Sequence, residues 1–335
     1  MSLDLPFVWA GLIAFAVLAY VMLDGFDLGV GVLFPFVPEE ARRDDMMNSV
    51  APVWDGNETW LVLGGGGLFA VFPLAYSVIM PALYAPIIGM LLGLTFRGVA
   101  FEYRWKTVRA KFFWDWAFAG GSAVAGFFQG VALGALVQGV PVVGRAYSGG
   151  WWDWLTPFSV LTGVALVVGY ALLGSTWLIY KTDGELQERA YAFAQRTGLA
   201  TLALIAAVSV WTPFLKGSYM HRWLGWPQIV YAALVPLMVL AVAYILYLGL
   251  RDKDQLRPFL AALGLFLLSY IGIAISFYPY IVPNSITIWQ AAGPDASLAF
   301  LLVGASVLIP MVLAYTAYSY WVFRGKVNAH AGGYH

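Results

Sequence analysis

Residues 6–36 read PFVWAGLIAFAVLAYVMLDGFDLGVGVLFPF and contain only two charged side chains, Asp24 and Asp27. One bilayer crossing needs roughly 20 apolar residues, so this stretch is predicted to be a membrane-spanning helix. Comparable stretches follow along the chain at about 49–72, 75–102, 113–140, 155–180, 197–215, 228–250, 256–280 and 297–323. The sequence therefore predicts nine spanning helices.

The composition leaves little room for anything except membrane helices. The 335 residues are 61% hydrophobic and 11% charged, with a mean hydropathy of +0.77, so the chain is less than half as charged as an average soluble protein. The polar segments between the spans, such as PEEARRDDMMN (38–48) and KTDGELQERAYAFAQR (181–196), are interpreted as loops too short to fold alone. We therefore expect an all-α polytopic protein whose spans pack in bundles, with residues 1–335 forming one integral membrane domain.

Charge balance and cysteine content exclude several other classes of protein. Eighteen Lys and Arg balance eighteen Asp and Glu, so no nucleic-acid partner is expected. The absence of cysteine excludes disulfides, thiolate-held iron–sulfur clusters and cysteine zinc sites. The start, MSLDLPFVWAGL, lacks the basic region of a signal peptide and is expected to belong to the first span.

The placement of Lys and Arg predicts the orientation of the spans, because cytoplasmic loops carry the excess of positive charge. Alternate loops hold fourteen of the eighteen Lys and Arg on one side and three on the other, while Arg97 lies inside the third span. We therefore expect a periplasmic amino terminus and a cytoplasmic carboxyl terminus. The fourteen residues are Arg42, Arg43, Arg104, Lys106, Arg109, Lys111, Lys181, Arg189, Arg196, Arg251, Lys253, Arg257, Arg324 and Lys326, and the three are Arg145, Lys216 and Arg222.

Acidic side chains are concentrated in the first two spans, where ionisable groups are costly and are candidates for function. The first span carries Asp24 and Asp27, the second carries Asp55 and Glu58, and the i, i+3 spacing puts each pair on one helix face. From the rise per residue, the depth from the cytoplasmic end is about 10 Å for Asp55, about 15 Å for Asp27 and Glu58, and about 20 Å for Asp24. The sequence thus predicts a candidate proton pathway that leads inward from the cytoplasm.

Arg97 is the expected charge partner of these acids, at a depth of about 10 Å and therefore level with Asp55. One arginine cannot neutralise four carboxyls, so some of them are expected to be protonated at neutral pH and able to pass protons on. In the alternative interpretation, the acids and Arg97 only hold the helices together. The glycines at 25, 29, 31 and 64–67 are expected to permit close helix packing.

No predicted span contains a histidine. His221 falls in a predicted outer loop, and His330 and His335 fall in the tail. A haem in a membrane bundle usually has an axial histidine ligand. The chain is therefore predicted to hold neither haem nor metal itself.

Three blocks in order closely resemble subunit II of the cytochrome bd-type quinol oxidases. They are DGFDLGVGVLFPF (24–36), NSVAPVWDGNETWLVLGGGGLFAVFPLAY (48–76) and FRGVAFEYRWK (96–106). Weaker similarity extends to the last two spans, in FYPYIVPNSITIW and LIPMVLAYTAYSYW. The form PVWDGNETW is similar to the cyanide-insensitive branch of this family.

The resemblance implies a respiratory terminal oxidase of the bacterial inner membrane that oxidises quinol and reduces dioxygen to water. In this family subunit I holds the b-type and d-type haems, whereas subunit II packs against it and completes proton and dioxygen access. The resemblance places Asp55 of WDGN on the cytoplasmic proton route with Asp27 nearby, and places Trp60 on an apolar dioxygen passage. It also allows a small third subunit and a structural quinone or lipid, for which no residue is assigned.

Two other functions use the same sequence features. A proton-coupled secondary transporter could use the four acids as its coupling site, although the chain lacks the repeats and broken-helix pairs of such transporters. A structural scaffold could use its buried charges to fix the register of the helices. A haem-bearing partner in the isolated complex distinguishes the oxidase subunit from both alternatives.

Overall fold

The computed structural model describes residues 3–327, and this part of the chain is mostly helical. Two short antiparallel hairpins lie in loops, β1 (Val142–Val143) with β2 (Ala146–Tyr147) and β3 (Tyr280–Val282) with β4 (Ile286–Thr287). His330 and His335 lie outside the described residues. The helices are α1 (Leu5–Leu33) with a 3-10 turn (Phe34–Phe36), α2 (Glu40–Val50), α3 (Trp54–Val71), α4 (Pro73–Ala82), α5 (Tyr84–Lys106), α6 (Lys111–Gln138), α7 (Pro157–Lys181), α8 (Gly184–Leu215), α9 (Gly217–Leu224), α10 (Gln228–Ala232), α11 (Leu234–Arg251), α12 (Arg257–Phe277), α13 (Ile288–Ala291) and α14 (Asp295–Val322).

Within residues 3–327, eight helical segments are long and apolar enough to cross a membrane. They comprise α1 with its 3-10 turn, α5, α6, α7, α8, α10 joined to α11, α12 and α14. Helix α3 is not among them, because polar residues including Asp55 and Glu58 lower the hydropathy of its first turns. By length and composition the structure therefore supports eight of the nine predicted spans.

Two segments that were predicted to be loops are helical, so this part of the prediction is wrong. Residues 38–48 contribute most of α2, and α8 begins at Gly184 although a span was predicted only from 197. Ion pairs hold both segments, since Arg189 of α8 lies 2.6 Å from Glu39. Arg42 of α2 lies 2.5 Å from Glu185. Apolar patterning shows where a helix lies in hydrocarbon, but a helix can continue past that point in water.

Two predicted spans are interrupted near a proline. The segment predicted at 75–102 divides into α4 and α5, and the segment at 228–250 divides into α10 and α11. Proline has no backbone N–H, so Pro86 cannot donate to the carbonyl of Ala82, four residues before it. Pro236 has the same relation to Ala232. Each break therefore follows from a hydrogen bond that the sequence cannot form.

Close contacts between α1, α6 and α7 depend on small residues. A Cβ atom placed on Gly29 of α1 would lie 1.8 Å from the carbonyl oxygen of Tyr170 in α7, and one on Gly174 would lie 2.4 Å from the backbone nitrogen of Val30. A Cβ on Gly31 would lie 2.1 Å from Oγ of Ser122 in α6. The glycines in the second half of α1 therefore set how closely it packs against its neighbours.

Ion pairs join the basic loops on one side of the bundle, which we call the basic side. The pairs are Arg42 with Glu185, Arg104 with Asp44 and Asp115, Arg189 with Glu39, Lys253 with Glu188, and Lys326 with Asp183. On the opposite side, Trp289 donates to Asp4, and the N–H of Gly293 donates to the carbonyl of Val71 at 2.8 Å. The helices α1, α3 and α14 therefore each extend from one side of the bundle to the other.

Charges on the basic side change the proton affinity of acids outside the spans. Hydrogen bonds from Arg189 hold the pKa of Glu39 below its ordinary value. A hydrogen bond from Lys111 lowers the pKa of Glu40, whereas burial raises the pKa of Asp45. Glu39 and Glu40 therefore stay ionised and attach the start of α2 to α8 and α6.

Substitution Gly29→Ala is expected to destabilise the protein, because the new Cβ would meet the backbone of α7. Overpacking of this kind costs about 1–3 kcal/mol. Thermal unfolding of the purified protein in detergent checks this, with Gly11→Ala as control, since a Cβ at Gly11 of the same helix meets nothing within 4 Å. Equal melting temperatures for the two variants would contradict the close contact.

Candidate functional site

Arg97 of α5 is fully buried between two carboxylates from different helices. Its Nη1 donates to Oδ1 of Asp24 in α1 at 2.6 Å, and its Nη2 donates to Oε2 of Glu58 in α3 at 2.8 Å. The guanidinium carbon lies 5.9 Å from the centroid of the Trp54 ring. The Asp24 side chain is 0% exposed and that of Glu58 is 29% exposed. Arg97 thus joins three helices through charge-assisted hydrogen bonds.

Asp55 stands apart from this arrangement. It lies in the first turn of α3 and is exposed, and the ion pairs described above connect Arg97 to Asp24 and Glu58 instead. Arg97 is therefore the charge partner of Asp24 and Glu58, and the ion pairs of the described residues do not include one between Arg97 and Asp55. A depth taken from the rise per residue locates Cα atoms only, whereas the long arginine side chain reaches deeper, and α3 turns Asp55 outward.

Asp27 is fully buried and has a neutral partner in place of arginine. The Nδ2 of Asn57 donates to Oδ2 of Asp27 at 2.7 Å and to the carbonyl of Leu23 at 3.3 Å. The hydroxyl of Tyr320 in α14 donates to Oδ1 of Asn57 at 3.0 Å. Oδ1 of Asp27 has no hydrogen-bond partner among the described residues. Asp27 therefore has no direct ion pair among the described residues, unlike Asp24 on the same helix.

A second polar chain, which sequence reasoning missed, lies deeper on α1. The hydroxyl of Tyr170 donates to Oε1 of Gln129 at 2.7 Å, and Nε2 of Gln129 donates to the hydroxyl of Tyr20. Tyr20 lies one helical turn before Asp24. The signal in the sequence was Gln129 itself, an amide in the middle of an apolar span, where polar groups need partners.

Solvent accessibility decreases from Asp55 through Glu58 to Asp24. Asp55 is exposed, Glu58 is partly exposed and Asp24 is buried. Asp27 lies three residues from Asp24 on α1 and is reached from α3 through Asn57. Carboxyls, an amide and hydroxyls in such an order are groups that can pass protons along a chain.

Trp60 of α3 is buried at the contact with α1. Its side chain is 1% exposed, and its ring meets that of Phe15 edge-on with 5.7 Å between the centroids. Its Nε1 has no hydrogen-bond partner among the described residues. It packs with Ala16 and Tyr20, and Val312 of α14 lies against this cluster. The surroundings of Trp60 are therefore mainly apolar, with the Tyr20 hydroxyl as a polar exception.

Within residues 3–327 the candidate spans offer no histidine as an axial haem ligand. Within residues 3–327 the histidine is His221, which lies in α9 outside the candidate spans and is exposed, and no group of three His, Cys, Asp or Glu in this range could hold a metal ion.

A separate cavity of about 330 Å³ lies between α1, α7, α12 and α14. Aromatic rings form much of its wall, including Phe26, Trp177, Phe259 and Tyr320.

The family model for cytochrome bd terminal oxidase subunit II matches residues 5–323. The chain belongs to the cytochrome bd terminal oxidase subunit II family. Subunit 2 of the cytochrome bd-I ubiquinol oxidase of Escherichia coli is 31% identical, over 97% of this chain and 95% of that protein. Subunit 2 of the cytochrome bd ubiquinol oxidase of Bacillus subtilis is 30% identical, over 96% of each chain.

A solved structure agrees with this family. The structure of bd oxidase from Geobacillus thermodenitrificans matches with a TM-score of 0.70, covering 96% of this chain and 99% of that chain at 16% identity. At this identity the likeness shows the fold alone. Family membership makes the chain a subunit of a cytochrome bd-type oxidase complex, and a proton-coupled secondary transporter is not favoured.

Replacement of Arg97 by glutamine is expected to destabilise the complex strongly, because Asp24 and Glu58 would lose their cation. Breaking a buried ion pair costs about 3–5 kcal/mol. The control is Lys106→Gln, which removes an exposed i, i+4 pair with Glu102 and is expected to cost less than about 1 kcal/mol. Melting temperatures of the two purified complexes measure the difference, and a shift of equal size would contradict the structural importance of Arg97.

Proposed function

We propose that this chain is the haem-free subunit II of a quinol-oxidising, dioxygen-reducing complex, and that it supplies proton and dioxygen access to haems in subunit I. The observation that carries the proposal is the buried set of Asp24, Asp27, Glu58 and Arg97 in a bundle whose spans offer no histidine to iron. The b-type and d-type haems then belong to the partner, and quinol is the substrate of the whole complex.

The proton route begins at Asp55 in this proposal. Water reaches the exposed carboxyl of Asp55 at the start of α3, and Glu58 lies one helical turn further in. Glu58 and Asp24 share Arg97, which keeps both as its counter-ions. Asp27, which has only the neutral amide of Asn57 beside it, is the group best placed to take up and release a proton.

The basic side of the bundle is proposed to face the cytoplasm. Its loops hold fourteen of the eighteen Lys and Arg, which is the distribution that cytoplasmic loops show. Helix α3 is proposed as the ninth span, since its eighteen residues extend about 27 Å at the usual rise and its end hydrogen-bonds the segment before α14. The amino terminus is then periplasmic, the carboxyl terminus cytoplasmic, and the location the bacterial inner membrane.

Subunit I is proposed to dock on the outer face of α3 and α14. Asp55 is exposed on α3, and a carboxylate cannot face hydrocarbon without a large cost. Helix α14 buries only Leu298 among its residues, which leaves most of this helix available for contact. A partner on this face would shield Asp55 from hydrocarbon while its cytoplasmic edge stays open to water, and would receive the protons. Membrane lipid and a small third subunit are further proposed partners.

The cavity between α1, α7, α12 and α14 is the proposed place for a structural lipid or quinone. Its wall is apolar, and Nε1 of Trp177 has no hydrogen-bond partner among the described residues, so it could donate to a carbonyl of the bound molecule. Lys181 and Arg324 line the same cavity. An apolar chain with a polar head would match these groups.

Dioxygen is proposed to pass between α1 and α3 beside Trp60. Dioxygen is apolar and dissolves in hydrocarbon, so it can enter from the membrane through gaps in a dry bundle. A Cβ on Gly65 or Gly66 would meet nothing within 4 Å, whereas one on Gly64 or Gly67 would lie 3.2 Å from Val17 or 3.1 Å from Ile13 of α1, so the open space lies on the outer side of α3, next to its contact with α1. The route for dioxygen is thus separate from the acids.

Asp27→Asn is expected to slow quinol oxidase turnover about tenfold or more, because an amide cannot carry the transferred proton. Asp55→Asn is expected to have a smaller effect, because water also reaches Glu58. Turnover is measured at constant haem content of the purified complex, with Asp252→Asn, an exposed acid after α11, as the control. Full activity of Asp27→Asn, or loss of haem from it, would contradict a proton role.

Trp60→Phe is expected to lower the apparent KM for dioxygen, because a smaller ring widens the passage between α1 and α3, and to leave the KM for quinol nearly unchanged. Oxygen consumption at varied dioxygen and quinol concentrations measures both constants. Trp116→Phe is the control, since Trp116 is 54% exposed on α6. An oxygen dependence identical to that of the unmodified complex would remove Trp60 from the passage.

A further inference from the structure

Both ends of the Asn57 side chain are hydrogen-bonded. Its Nδ2 donates to Oδ2 of Asp27 and to the carbonyl of Leu23, at 2.7 and 3.3 Å, and its Oδ1 accepts from the hydroxyl of Tyr320 at 3.0 Å. Asn57 is itself 1% exposed. An amide has one acceptor end and one donor end, so the donor on one side decides which end faces the carboxyl on the other.

Contacts with two aromatic rings hold the side chain of Tyr320 in place. Its ring meets Phe26 of α1 edge-on at 6.4 Å between centroids, and Trp177 of α7 at 6.3 Å. Among the described residues, Tyr320 is the α14 side chain that hydrogen-bonds another helix. The hydroxyl can donate or accept, and among the described residues the hydrogen bond it makes is the one it donates to Oδ1 of Asn57, so turning the amide over would leave its O–H without an acceptor.

The hydroxyl of Tyr320 favours the orientation of Asn57 in which Nδ2 faces Asp27. If the amide turned over, its oxygen would face two acceptors, the Asp27 carboxylate and the carbonyl of Leu23. That orientation becomes acceptable only when Asp27 carries a proton to donate. A donor to Oδ1 on the α14 side therefore favours the ionised form of Asp27 relative to its protonated form.

We propose that Tyr320 is a positioning residue of the proton route, which acts through Asn57 to orient the Asp27 carboxyl and adjust how readily it exchanges its proton. This inference rests on the proposed role of Asp27. The titratable and charged groups that face Asp27 are Asp24 on its own helix, Glu58 on α3, Arg97 on α5 and Tyr320 on α14.

The test measures the pH dependence of quinol oxidase turnover in the intact complex, normalised to its haem content so that reduced assembly does not alter the profile. Tyr320→Phe removes only the hydroxyl. It is expected to move the alkaline limb of turnover to higher pH by about half a unit to one unit, because one hydrogen bond that favours the carboxylate is weakened. Tyr244→Phe, which changes a tyrosine 60% exposed on α11, is expected to leave the profile unchanged.

Two further variants separate the positioning role from the route itself. Asp27→Asn is expected to abolish this limb, and the double variant Tyr320→Phe with Asp27→Asn is expected to match Asp27→Asn alone. If Asp27→Asn retained the limb, the proposed route would fail. If Asp27→Asn abolished it while Tyr320→Phe left it in place or moved it to lower pH, only the role of Tyr320 would be overturned.

Discussion

The buried guanidinium of Arg97 is the interaction on which the polar interior of this protein depends. It binds Asp24 of α1 and Glu58 of α3 at once, and charges of this kind are tolerated away from water only when they are paired. The pairing also sorts the acids. Asp24 and Glu58 have a cation, whereas Asp27, three residues from Asp24, has only an amide. Two carboxyls on one helix therefore have different chemistry because their partners come from different helices.

Hydropathy and charge placement were enough to locate most of the helices, and rare acids in apolar stretches located the candidate site. They could not give the partner of each acid, because a helix face and a depth do not specify the length and direction of a side chain. Arg97 bypasses Asp55 for that reason. Gln129 and Tyr320 were missed since a single neutral polar residue in a span resembles packing until its hydrogen bonds are seen. The early start of α8 was missed because its first turns are stabilised by ion pairs and carry no apolar pattern.

Membership of the bd-type oxidase family connects the buried acids and the apolar surroundings of Trp60 with the proposed function. A subunit of a bd-type oxidase that contributes no histidine to iron within its spans can still decide which small species reach the redox centres. Protons need a continuous polar chain, and dioxygen needs dry space. The proposed proton route and the proposed dioxygen passage are separate on α3, where Glu58 faces Arg97 and Trp60 packs among the side chains around Ala16.

The low hydropathy of α3 has a consequence for how the protein is made. On its own, a segment that begins WDGNET moves poorly from the insertion machinery into lipid, because its first residues are polar. In the proposed spanning arrangement of α3, Glu58 gains its cation only after Arg97 arrives, and Arg97 belongs to a helix synthesised later. Nascent α3 is therefore expected to wait at the insertion machinery, or beside α1, until α5 emerges, so that biogenesis of this region is cooperative and does not proceed one helix at a time.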